Sequence, residues 1–240
     1  MTAFLRAAAV ALLAACTLAP AAQANVLIGG TRVILPAKDG EVTLRLTNEN
    51  DTPALVQAWI DNGDAKSTPD NVDTPFLITP PMFRMEPKRD QNLRILYTRE
   101  PLPADRESLF WLNVLEVPPK PVERGPDANY LQLALRSRLK LFFRPEGLQG
   151  DPIKAPAELV FHAVGNALVV NNPTPFHITL TDIVVQVGGK AVAVEGGMVA
   201  PKSELRLAAA GLSAPAGTPV RFNAINDFGT PAPFVGATAP

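Results

Sequence analysis

Residues 130–143 read YLQLALRSRLKLFF. Leu131, Leu133, Leu135, Leu139, Leu141 and Phe143 share one face, broken only by Ser137, while Gln132, Ala134, Arg136, Arg138 and Lys140 share the other. A period of two is that of a β-strand. At about 3.3 Å per residue such a strand spans over about 40 Å, beyond the usual length. A strand that long can outrun its own sheet, and an edge studded with leucines is an aggregation hazard unless something covers it. Either a partner covers these leucines or they belong to the core.

The rest of the chain reads as β as well. Val42, Leu44 and Leu46 alternate with Glu41, Thr43, Arg45 and Thr47, and Leu93, Ile95 and Tyr97 alternate with Arg94, Leu96 and Thr98. Phe110–Val117 is a nearly continuous apolar run ended by Pro118-Pro119, as expected of a strand buried on both faces. Turn signals recur between the runs, at Lys38-Asp39-Gly40, Asn48–Pro53, Asn62-Gly63-Asp64, Pro80-Pro81 and Gly188-Gly189. Arg144–Pro156, with three prolines and two glycines, has the composition of a linker. Beyond it, Leu168–Val170, Ile178–Val187, Ala191–Val194, Leu205–Leu207 and Val220–Ile225 are strand candidates of a second unit. Pro231–Pro240 reads as a loose tail. The predicted class is all-β, with two units each near the size of an immunoglobulin-like sandwich.

The chain opens with a leader. Arg6 precedes an apolar stretch, Ala7–Leu18, too short to span a bilayer, and Ala22-Gln23-Ala24 forms a small-x-small cleavage site before Asn25. Removing the leader leaves 21 Lys and Arg against 23 Asp and Glu, a net charge of −2. That balance gives no reason to expect nucleic acid, and without a second long apolar segment no direct membrane insertion is expected. Leu13-Ala14-Ala15-Cys16 also resembles a lipobox, which would make Cys16 a lipidated terminus. Cleavage after Ala24 would instead remove the only cysteine and with it all disulfide and thiol chemistry.

At Leu102–Pro119 the chain reads LPADRESLFWLNVLEVPP. This resembles the signature of the periplasmic pilus-assembly chaperones of the chaperone–usher pathway. Thr31-Arg32, Gln57–Ile60, Thr79–Pro81, Lys140–Pro145, Asn172–Pro175 and Ile225–Gly229 follow the family's pattern in order. The short segment Lys120–Asn129 is similar to that of the short-loop branch. The resemblance implies two immunoglobulin-like sandwiches set as an L or boomerang about a cleft. It divides the chain into a signal peptide (1–24), an N-terminal domain (25–146) and a C-terminal domain (147–240). It implies a periplasmic protein that binds fimbrial subunits by donor-strand complementation and delivers them to an outer-membrane usher.

The family's functional residues fall on particular positions. Arg32 and Lys140 match the pair that anchors a subunit's C-terminal carboxylate. Arg32 would be the eighth residue after cleavage at Ala24, as in the family, which favours that cleavage over the lipobox. Spacing alone puts Lys140 on the polar face, away from the leucines, and a lone cation is ordinarily a solvated one. Leu131, Leu133 and Leu135 match the donor strand. Glu107, Arg144 and Asp227 match an interdomain salt bridge. An exposed donor strand would also let the free protein cap itself as a dimer. The runner-up reading is a secreted or lipid-anchored β-sandwich adhesin, which has no need of a carboxylate clamp beside a donor strand.

Groups suited to catalysis are few. His162 and His177 are the only neutral-pH bases, and neither belongs to a His-x-x-His or Glu-x-x-His pattern. No nucleophile elbow, P-loop or dinucleotide fingerprint is present. A non-enzymatic protein with no cofactor and no metal is expected.

Overall fold

The computed structural model describes residues 26–120 and 132–240. The leader with Cys16, the expected terminus at Asn25 and residues 121–131, with Leu131 among them, lie outside the described residues. Within them the fold is two stacked β-sandwiches in sequence.

The first sandwich comprises β1 (Val26–Ile28), β2 (Arg32–Pro36), β3 (Glu41–Asn48), β4 (Ala54–Asp61), β5 (Phe76–Thr79), β6 (Met82–Met85), β7 (Asp90–Tyr97), β8 (Ser108–Val117) and β9 (Leu135–Arg144). One sheet has the order β1-β3-β7-β5 and the other β2-β9-β8-β4-β6. The alternating residues of β3 and β7 send Leu44, Leu46, Leu93 and Ile95 inward. From the facing sheet come Leu35, Val56, Ile60, Leu112, Val114 and Leu141. Each such side chain contributes about 1.5–3 kcal/mol when fully buried. Phe110–Val117 is more one-sided than its composition suggests: Phe110, Leu112 and Val114 are buried, whereas Trp111, Leu115 and Val117 are half-buried on the outer face.

The first strand is split between the two sheets. β1 pairs antiparallel with β3, the chain crosses at residues 29–31, and β2 then pairs parallel with β9 from Arg32↔Lys140 to Pro36↔Arg144. β9 starts at Leu135, so the expected strand is shorter: Gln132–Ala134 are not in it, and Tyr130 and Leu131 lie outside the described residues. Nor does β9 outrun β8, which pairs with it from Glu116↔Leu135 to Ser108↔Phe143. It outruns β2. Between Leu135 and Leu139, β9 has a neighbour on one side only among the described residues. The leucine stripe accordingly has two fates. Leu139, Leu141 and Phe143 are core, whereas Leu133 and Leu135 are 61% and 51% exposed.

The second sandwich comprises β10 (Val160–Ala163), β11 (Ala167–Asn172), β12 (Ile178–Val187), β13 (Lys190–Val194), β14 (Gly197–Val199), β15 (Ser203–Ala208), β16 (Pro219–Ile225) and β17 (Pro231–Ala237). Its sheets are β10-β11-β15 and β13-β12-β16-β17, with β14 also on β12. In β12 the inward residues are Ile178 and Leu180, then Ile183 and Val185. A register shift between Thr181 and Val184, with Asp182 at φ +49°, moves the strand by the one residue that this change of parity requires. The expected loose tail at Pro231–Pro240 is instead largely strand: β17 pairs with β16 from Pro219↔Ala237 to Ile225↔Pro231. Two prolines are tolerated there because β17 ends the sheet order, and an edge strand can lack donors on its open side.

Candidate functional site

The two sandwiches meet where β2, β9 and the residues before β8 face β12, β16 and the turn after β16. Arg32 begins β2 and lies in register beside Lys140 of β9. Both reach to the second sandwich: Arg32 Nη1 donates to the Ile225 carbonyl at 3.0 Å, and Lys140 Nζ lies 3.2 Å from Thr179 Oγ1. Arg32 also covers the Phe142 ring at 5.7 Å, and Lys140 lies 5.9 Å from the Trp111 ring. The polar face of β9, which spacing set apart from the leucines, is therefore the face turned toward the second sandwich at this row.

The electrostatics of this pair are unfavourable as they stand. Burial pushes the Lys140 ammonium below its ordinary pKa, and the neighbouring Arg32 charge pushes it further. Burial likewise lowers Arg32, opposed by Asp227 and Glu107. The buried Arg32 Nε has no hydrogen-bond partner among the described residues. Two half-buried cations side by side, one with an unused donor, are arranged for an anion.

Arg144, at the end of β9, holds the joint. Its Nε donates to Glu107 Oε1 at 2.7 Å, while Nη1 and Nη2 donate to Asp227 Oδ2 and Oδ1 at 2.7 and 2.9 Å. Burial works against the Arg144 charge, and Asp227 and Glu107 outweigh it, leaving the guanidinium above its ordinary pKa. Glu107 is tied twice more: its Oε2 accepts from the His177 amide at 2.8 Å, and its own amide donates to the Pro175 carbonyl at 2.9 Å. The structure thus brings Glu107, Arg144 and Asp227 together, and Arg32 with Lys140. Of the three leucines it leaves Leu133 and Leu135 exposed, and Leu131 is outside the described residues.

Several contacts were not read from the sequence. Thr179 and the Ile225 carbonyl, which receive the two cations, come from the other sandwich with no local signal. His177 packs against Phe142, ring centroids 5.4 Å apart, beside Glu107. Lys202 Nζ bridges to Asp105 Oδ2 at 2.8 Å. The turn Asn226–Gly229 comes so close to Thr31 that a Cβ on Gly229 would lie 2.1 Å from Thr31 Oγ1, and Gly229 has φ +81°. Gly229→Ala is expected to destabilise by about 1–3 kcal/mol, from the left-handed backbone and the clash together. Thermal unfolding of Gly229→Ala with and without Thr31→Ala separates them: the second change restores only the steric part.

A pair of sandwiches with two adjacent half-buried cations at their junction, beside a strand edge that is open among the described residues, suits a binding class of protein. Family models agree with this class. The N-terminal domain of the PapD pili and flagellar-assembly chaperones matches residues 25–149, and the PapD C-terminal domain matches residues 154–234. The chain is 47% identical over 231 residues to the chaperone protein FimB/FhaD of Bordetella pertussis, covering 93% of this chain and 92% of the relative. It is 44% identical over 207 residues to the chaperone protein MrkB of Klebsiella pneumoniae, covering 85% and 88%. The crystal structure of the YadV chaperone superposes with a TM-score of 0.76 at 40% identity, over 89% of this chain and 100% of that one. The SafB chaperone, solved in complex with the Salmonella enterica SafA pilin, gives 0.74 at 34%, over 91% and 98%. The chain belongs to the PapD family of pilus-assembly chaperones, and its function is that of a pilus-assembly chaperone.

Proposed function

We propose that this protein captures pilin subunits in the periplasm by gripping a subunit's C-terminal carboxylate with Arg32 and Lys140 and lending it the edge of β9. Leu131, Leu133 and Leu135 then fill the subunit's incomplete core, and the capped subunit passes to an outer-membrane usher. The leader directs export and is removed by cleavage after Ala24. One observation carries the reading: the cation pair lies at the row where β2 stops pairing and the edge of β9 opens. A chain end held there and running back toward Leu135 continues the line of β2, parallel to β9. Its backbone would satisfy the open edge, as in β-strand addition generally, and exposed leucines would be buried without a change in this protein's own core. The complex of the SafB chaperone with the SafA pilin supports a pilin as the partner. No catalytic step is part of this function, and no nucleotide: the subunit's unfinished fold holds the energy for later assembly.

The test uses the purified protein and a denatured pilin subunit diluted into it. The wild type is expected to yield a soluble one-to-one complex on size exclusion. Leu133→Asp with Leu135→Asp is expected to abolish it, with the free protein's melting temperature unchanged within about 2 °C, since exposed substitutions cost within about 0.5 kcal/mol each. Undiminished capture, or a fall of many degrees marking these leucines as core, would refute the reading.

A further inference from the structure

Asp61, the last residue of β4, is 1% exposed and takes no part in the cation pair or in the joint around Arg144. It lies on the outer face of its sheet, in a row with Trp111 and Lys140; the next row is Trp59, Asn113 and Arg138, and the next Gln57, Leu115 and Arg136. The basic residues of β9 are therefore not a solvated stripe. Arg138 forks onto both Asp61 oxygens and stacks over Trp111 at 4.3 Å. Arg136 donates to Asn113 Oδ1 through Nε at 2.9 Å and Nη2 at 2.7 Å, to Ser67 Oγ at 3.0 Å and to the Ala65 carbonyl at 3.0 Å. It stacks over Trp59 at 4.7 Å.

Asp61 closes the network. It accepts from Asn113 Nδ2 at 2.7 Å, from Ser67 Oγ at 3.0 Å and from the Gly63 amide at 2.7 Å, and Trp59 Nε1 donates to Ser67 Oγ at 3.1 Å. Burial pushes the Asp61 carboxyl up, but the Arg138 bond, with those from Asn113, Gly63 and Ser67, outweighs it and holds the pKa below the ordinary carboxylate range. A carboxylate so deeply placed keeps its charge only because it is paired and fully bonded.

The two arginines sit on the stretch of β9 that has one backbone neighbour among the described residues. An edge strand with exposed leucines is prone to fray or to pair wrongly. Residues 136 and 138 alternate with the exposed Leu135 and lace the strand across β8 to β4 and to the loop after β4. The residue type matters: only a planar guanidinium can both stack on an indole and fork onto a carboxylate or amide oxygen.

We propose that Arg136 and Arg138, fastened through buried Asp61, are positioning residues that hold the open edge of β9 extended before a subunit arrives. The inference rests on the donor-strand reading above. It makes the edge a preformed template, so the ordering cost of binding falls on the subunit alone.

Amide hydrogen exchange on the free, full chain tests it, together with capture of a denatured pilin. Arg136→Gln with Arg138→Gln is expected to speed exchange at Leu135–Leu139 at least tenfold, to leave β3 unchanged, and to slow capture about tenfold. Arg136→Lys alone leaves Asp61 paired with Arg138 and so keeps the fold; it is expected to give a smaller change in the same direction, because charge without the fork does not rescue. Unchanged exchange at Leu135–Leu139 in both variants overturns the inference, as does faster exchange with wild-type capture. Lys140→Ala serves as the control, expected to lose capture with exchange at Leu135–Leu139 unaltered. Wild-type capture by Lys140→Ala would overturn the reading beneath, whereas failure of the inference shows in the arginine variants alone.

Discussion

Replacing Lys140 with alanine is expected to weaken subunit binding roughly 10- to 150-fold while leaving the free protein at least as stable as the wild type. A charge-assisted hydrogen bond to a carboxylate is worth about 1.5–3 kcal/mol, and about 1.4 kcal/mol is a factor of ten. Stability moves the other way because Lys140 is a liability in the free protein. Its charge is half-buried beside Arg32, and Thr179 Oγ1 is a weak compensation. Arg32→Ala should act similarly on binding, and the double variant should lose less than the product, since neighbours that share one ligand are coupled. The pH dependence has a definite sign. The folded-state pKa of Lys140 lies below its unfolded value, so between the two the folded chain binds fewer protons and stability rises with pH. The penalty is fully present below the folded pKa. An anion in the site raises the Lys140 pKa again, so subunit affinity falls as pH climbs past the free protein's value. Titration calorimetry and thermal unfolding in alkaline buffers check both. Equal affinity of wild type and Lys140→Ala for the subunit would remove the anchor from this site.

Arg144→Ala is expected to be the most damaging single change to the free protein, lowering stability by about 3–5 kcal/mol. Removing one partner of a buried ion pair leaves the other uncompensated, and here Glu107 has a side chain only 2% exposed. For a chain of this size that corresponds to a melting temperature lower by about 10 °C. Glu107 also receives the His177 amide, so its displacement loosens a second tie between the sandwiches. Small-angle scattering should show a broadened distance distribution as the angle between the sandwiches relaxes. Arg144→Met with Glu107→Gln and Asp227→Asn, which removes the stranded charges, should recover most of the stability and little of the fixed angle. A variant Arg144→Ala that melts and scatters like the wild type would mean the joint is held elsewhere.

The alternation in β3 and β7 was legible because each of these strands has one wet face, and period two then reports burial directly. The leucine stripe was harder. Its periodicity correctly assigned a face, but the same pattern continues across Leu133 and Leu135, which are exposed, and Leu139 and Leu141, which are not. What differs is whether an opposing sheet lies beneath, a fact held by residues 40 to 100 positions away. Pro231 and Pro233 misled in the opposite sense: proline reads as a breaker unless the strand is known to end its sheet. Arg32, Lys140 and Arg144 were singled out through resemblance to a family and not through spacing, since each has its partners in distant segments. The Asp61 network was missed because a basic stripe opposite leucines looks like a solvated face. The aspartate, two tryptophans and asparagine that bury it are scattered over two other strands.

The start of β2 opposite Lys140 has one more implication. If a chain end is pinned at that row, the clamp acts as the zero of a ruler, and every residue upstream is counted from it. Lengthening a subunit by a single C-terminal residue would turn its whole final strand over, presenting the wrong side to its own interior. A terminal overhang too small to alter the subunit's composition would thus be rejected on geometry alone.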